Sequence, residues 1–120
     1  MVDYENAIED KSFEFAVRIV NLTKYLRRKY KEYVIAKQLL RCGTSIGANV
    51  SEAQRAQSRA DFYSKMSIAL KETNETYYWL RLLYRTEYLT KPEFESMKKD
   101  ADELLRILVA ICKTASESRK

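Results

Sequence analysis

The chain has 120 residues, enough for one domain that buries roughly two thirds of its unfolded surface without disulfide or metal staples. It holds one proline, two glycines and no histidine, with 22 Lys and Arg against 17 Asp and Glu for a net charge of +5. Scarce turn-formers make strands hard to place and point to an all-α class. The missing histidine excludes the Glu-x-x-His ligand set of di-iron bundles and removes the commonest general base and zinc ligand.

In chain order, residues 1–11 are acidic and weakly patterned, and read as a lead-in. A first helix is expected over 12–29, capped by Ser12, with Phe15, Ile19, Leu22 and Leu26 on one stripe and Phe13, Ala16, Val17 and Val20 broadening it. Its last turns are cationic, which opposes the negative end of the helix dipole. A short link then sends a second helix, 34–55, back against the first. Gly43 and Gly47 sit inside it, each costing about 1 kcal/mol of helix propensity relative to alanine, so another helix must come close there.

Ala56 to Ser58 forms the next link, with Ser58 as N-cap and Asp61 three positions on. Nothing breaks the third helix from 59 to 89, so it is expected to outrun its neighbours and project at one end. Thr90-Lys-Pro-Glu93 offers a cap, a first-turn proline and a reciprocating glutamate for a fourth helix over 91–114. That helix has a heptad of Phe94, Met97, Ala101, Leu104, Leu108, Ile111 and Ala115, with the tail from Lys113 expected to fray. Leu105, Ile107, Val109 and Cys112 are additional apolar groups. Only Arg106 is charged between Leu104 and Cys112, more grease than one monomer's core is expected to take. Four helices with short links make an antiparallel up-down-up-down four-helix bundle, one domain over 1–120.

Three groups of residues stand out. The first is a polar row on helix two, Gln38, Arg41, Ser45, Asn49 and Glu52, facing Glu72 and Glu75 of helix three beside Trp79. Carboxylates at this spacing suit metal or acid–base chemistry, but without histidine the structural role is favoured: a buried, mutually satisfied network that fixes helix register. No cofactor and no metal are expected.

The second is the basic run Lys24, Arg27, Arg28, Lys29 and Lys31, interleaved with Tyr25, Tyr30 and Tyr33. Residues 1–20 carry five acids and two bases, whereas 21–41 carry seven bases and one acid. Cations mixed with aromatic rings suit phosphates and stacked bases of RNA or DNA; a solvated face is the plain alternative. The third is aromatic. Tyr77, Tyr78 and Trp79 are consecutive, so at least one points outward, and with Leu105, Val109 and Cys112 they make a candidate interface between copies of the chain.

Cys42 and Cys112 lack CxxC spacing and read as free, buried thiols of a cytoplasmic protein, and no charge-free apolar run reaches the roughly 18 residues of a membrane span. With two glycines and no nucleotide loop or nucleophile elbow, neither an enzyme nor a small-molecule substrate is expected.

The segments Gln38-Leu-Leu-Arg41, Thr44 through Ala53, Asp61-Phe62, Ile68 through Glu72 and Glu75 through Leu83 resemble the family of four-helix bundle proteins encoded in intervening sequences of bacterial 23S rRNA genes, also called the S23 ribosomal protein family. The likeness spans roughly residues 12–114, with Ser-Ile-x-x-Asn-x-x-Glu on helix two and Glu-x-x-Glu on helix three. It implies an up-and-down bundle that assembles as a homopentamer. The accessory variability determinant of diversity-generating retroelements is similar, and implies nucleic-acid binding. The leading expectation is a homo-oligomeric bundle with an RNA- or DNA-binding basic surface; the alternative is a protein-interaction scaffold that binds no nucleic acid.

Overall fold

Ile8, Phe15, Ile19 and Leu26 recur at helical spacing and are all buried, so they pull one continuous stripe of the first helix onto the core. The computed structural model describes residues 4–118. Among these, α1 spans Tyr4–Tyr30, α2 Val34–Ala53, α3 Arg59–Arg85 and α4 Lys91–Ser118. Each helix packs on its neighbours in the chain, α1 closes the square against α4, and the backbones of the diagonal pairs stay apart. Every contact runs antiparallel: Gly43 and Gly47 lie over Ile19 and Ser12, Arg41 and Glu52 pair with Glu72 and Lys65, Tyr84 stacks on Phe94, and Lys11 pairs with Glu103. The bundle measures 48 × 23 × 22 Å.

The two glycines do admit a close neighbour. A Cβ on Gly43 would lie 2.7 Å from a side-chain carbon of the fully buried Ile19, and one on Gly47 would lie 3.2 Å from the Ser12 carbonyl oxygen. The α1–α2 seam is therefore set by the lack of side chains at these positions.

Several expected boundaries move, each for a physical reason. Helix α1 starts at Tyr4 rather than at 12, because Ile8 reaches the core; residues 1–3 of the expected lead-in lie outside the described residues. Ser12 is consequently no cap. It is buried in the helix interior, and its hydroxyl donates back to the Glu9 carbonyl at 3.2 Å. Helix α2 ends at Ala53, two residues early, and α4 continues to Ser118 rather than fraying from Lys113.

Helix α3 stops at Arg85 instead of 89. Glu87 adopts a left-handed φ of 69°, the Tyr88 amide donates to the Leu83 carbonyl at 2.9 Å, and Leu89 folds back into the core. At 27 residues α3 equals α1 and is one shorter than α4, so it does not project beyond them. Two caps form as expected: the Ser58 hydroxyl accepts from the Asp61 amide at 3.0 Å, and Thr90 and Glu93 exchange hydrogen bonds at 2.8 and 3.3 Å.

The apolar excess expected of α4 is mostly absorbed within the single chain. Leu104, Ile107, Leu108 and Ile111 are buried, Leu105 and Cys112 are half-buried, and only Val109 of this group is exposed. The Ala115 side chain lies outside the described residues. Phe13 and Val17, in contrast, do not broaden the α1 stripe; they point outward, 65% and 42% exposed.

Candidate functional site

The antiparallel order brings the C-termini of α1 and α3 to the same end as the N-termini of α2 and α4. Lys24, Arg28, Lys29 and Lys31 are exposed there and Arg27 is half-buried, with Lys37, Arg81, Arg85 and Lys91 on the adjoining helix ends, all four exposed. Among the described residues, no ion pair involves any of these nine cations. Glu32 is the one acid between Lys24 and Arg41. Its two carboxylate oxygens accept from the Ile35 and Ala36 amides at 3.0 and 2.8 Å, capping α2 where Tyr33 supplies no side-chain cap. The helix start thus engages the carboxylate that could have neutralised the run.

Aromatic rings knit this end together. Tyr25 meets Tyr30 edge-on at 6.1 Å, and Tyr30 meets Tyr88 of the α3–α4 link edge-on at 5.2 Å. The Lys29 ammonium bonds the Tyr25 hydroxyl at 3.0 Å and lies 5.3 and 5.2 Å from the Tyr25 and Tyr30 ring centres. Its pKa is raised, first by the hydrogen bond to Tyr25 and then by electrostatic attraction to the two tyrosines, so the group stays charged. The turn itself is tight: Lys31 has a φ of 54°, and its ammonium reaches back to the Arg28 carbonyl at 3.4 Å. Tyr88 is a member of the cluster that sequence spacing did not identify, since only the meeting of the two links makes it a neighbour of Tyr30.

The polar row on α2 is not the sealed network expected. Arg41 donates to Glu72 at 3.3 Å and also to Glu75, and more weakly to Gln38 at 3.5 Å, but its side chain is 49% exposed. Trp79 donates its indole N–H to Glu75 at 3.1 Å. Ser45 and Asn49 turn back to their own helix, donating to the Arg41 carbonyl at 2.6 Å and the Ser45 carbonyl at 2.8 Å. Glu52 leaves the group altogether and pairs with Lys65 at 3.2 Å. The reason is angular. Ala36, Leu39, Cys42, Gly43, Ile46, Val50 and Ala53 take the core-facing stripe, and the polar row lies beside it over the α2–α3 groove.

The buried polar side chains are instead Ser12, Thr23, Thr73 and Thr76. Each hydroxyl bonds a carbonyl one turn earlier in its own helix, within 3.2 Å. Among the described residues, no group of three or more His, Cys, Asp or Glu side chains converges to hold a metal ion. Both cysteines are free thiols; burial pushes the pKa of Cys42 up, which keeps it protonated and unreactive.

Of the candidate interface residues, Tyr78 and Val109 are 54% and 50% exposed, whereas Tyr77, Trp79, Leu105 and Cys112 are half-buried within the chain. Tyr78 is thus the outward member of the aromatic triplet. Among the described residues, no helix is long and apolar enough to cross a membrane.

The fold has a counterpart among solved structures. No curated protein sequence gives a significant match. A crystal structure from Bacteroides thetaiotaomicron, described as a protein with unknown function from the S23 ribosomal protein family, is 58% identical to this chain. It superposes with a TM-score of 0.90, covering 92% of this chain and 99% of its own. The model of the 23S rRNA-intervening sequence protein family matches residues 5–110, and this bundle, with Arg41 of α2 answered by Glu72 and Glu75 of α3, belongs to that family.

Proposed function

We propose that the chain is a non-enzymatic homo-oligomer that binds RNA or DNA through its basic end, in a reducing cytoplasm that suits its free thiols. The observation that carries this reading is the set of cations at Lys24 to Lys31, which pair with no carboxylate among the described residues while Glu32, next to them in the sequence, caps α2. Cations not paired with carboxylates are free to displace the counterions of a phosphate backbone. Assembly multiplies the effect, because several weak patches on one ring act as a single multivalent surface. Five copies is the number the family resemblance implies. The outward Phe13, Val17, Tyr78 and Val109 side chains supply apolar surface for contacts between copies.

A gel-shift titration with a mixed-sequence RNA at low salt tests the binding. The parent protein should bind, and the double substitution Arg27→Glu, Arg28→Glu should weaken it by roughly thirtyfold, about 2 kcal/mol. Absence of binding by the parent would remove the nucleic-acid reading. Sedimentation velocity tests the assembly: a 14.2 kDa species at micromolar concentration would remove it. The exposed Phe13 and Val17 also favour a second reading, a scaffold that holds another protein and no nucleic acid. Material purified without nuclease distinguishes the two, since co-purifying nucleic acid absorbs at 260 nm and a stoichiometric protein partner does not.

A further inference from the structure

The chemistry of the basic end is richer than a phosphate backbone requires. Tyr33 and Val34 are 56% and 76% exposed at the α1–α2 turn, and Tyr30 is 38% exposed with its ring held edge-on between Tyr25 and Tyr88. Beside Tyr25 a groove of about 490 Å³ opens between α1 and α4, lined by the apolar Leu22, Pro92 and Met97 and by Asn21, Ser96 and Glu93, whose carboxylate is turned to the Thr90 amide at the start of α4. Arg18 is tied across the groove to Ser96 at 2.8 Å, which holds that wall in place. Rings, an apolar floor and cations therefore lie within one end of the molecule.

A duplex keeps its bases stacked on each other and offers a protein chiefly phosphates and groove edges, so these rings and this floor would stay idle against it. A single strand can splay its bases, and every base has a face that stacks on an aromatic ring whatever its sequence. We propose that the nucleic acid received at this end is single-stranded, its bases lying against Tyr30, Tyr33 and the α1–α4 groove and its phosphates on Lys24, Arg28, Lys29 and Lys31. This deepens the nucleic-acid reading above and rests on it. The edge-on packing of Tyr30 and the ammonium of Lys29 over two rings fix this platform before a ligand arrives, which reduces the ordering cost of binding.

The test uses fluorescence anisotropy with the full chain and four end-labelled probes of equal length at one salt concentration. These are a single-stranded RNA, a single-stranded DNA, a duplex RNA, and an abasic strand with the same phosphates and no bases. Both single strands should bind at least tenfold more tightly than the duplex and the abasic strand. Tyr30→Ala and Tyr33→Ala, each checked for native helical content, should weaken single-strand binding about fivefold or more and leave duplex binding within twofold.

Equal affinity for single strand and duplex, or for based and abasic strands, overturns the proposal and leaves nucleic-acid binding itself intact. Affinity for none of the four probes overturns both. The probe comparison on the unaltered protein decides the matter even if a tyrosine substitution unfolds the bundle.

Discussion

The two ends of this bundle treat their charges differently. At the far end, cations and carboxylates meet across helices: Arg59 with Glu5 at 3.7 Å, Lys65 with Glu52 at 3.2 Å and, further along, Lys11 with Glu103 at 3.2 Å. At the basic end Glu32 and Glu93 instead accept from backbone amides at helix starts, and no ion pair forms with the cations of 24–31 among the described residues. Where a carboxylate is needed to terminate a helix it is withdrawn from charge balance, and the cations around it are left facing outward. Local helix chemistry thereby produces a polarised molecule with no buried charge among the described residues.

Four substitutions break or sharpen that contrast, beyond the binding experiments. The largest effect is expected midway between the ends, at the seam that holds them in register. Gly43→Ala places a methyl group against Ile19, and overpacking of about 1–3 kcal/mol outweighs the roughly 1 kcal/mol gained in helix propensity. Chemical denaturation should show a net loss of up to about 2 kcal/mol. A gain in stability would mean that α1 can back away, and that the ends are less rigidly coupled than the seam indicates.

Next in size is Glu32→Ala, which removes the cap of α2 and should cost about 1 kcal/mol by the same measurement. Because it also removes the acid within the basic run, nucleic-acid affinity should rise a few-fold while stability falls. Parallel losses in both would show that Glu32 acts by positioning the cations, not by its charge.

The smallest effect compares one cation from each end. Lys65→Gln loses the exposed pair with Glu52 and should cost up to about 0.5 kcal/mol, less in high salt. Lys24→Gln relieves like-charge crowding, so stability should hold or rise slightly. Equal losses at both positions would erase the distinction between a paired and an unpaired end.

The expected bundle, the Ser58 and Thr90 caps and the close approach at the glycines were legible in the sequence, because each depends on residues within one or two helical turns. Helix boundaries were less so. The start of α1 depended on whether Ile8 would find a core, and the end of α3 on whether Leu89 would leave the helix to join one. The polar row was identified as a set, yet its burial was misjudged. Periodicity places residues on a face but does not say which of two adjacent faces turns inward, and Glu52 found Lys65, about two turns along α3 from Glu72.

Composition and spacing by themselves determined that this is a four-helix, all-α chain with a basic run over 24–31, since propensity, capping and charge order are properties of neighbours along the chain. Only the tertiary structure decided which side chains remain outside. It folded most of the fourth helix's apolar excess into one monomer, turned Phe13 and Val17 outward, opened the Arg41 cluster to solvent, and set Tyr88 against Tyr30 beneath unpaired cations. Those outcomes depend on the rotation of each helix about its axis and on which links meet at an end. Both are set by packing among residues distant in sequence.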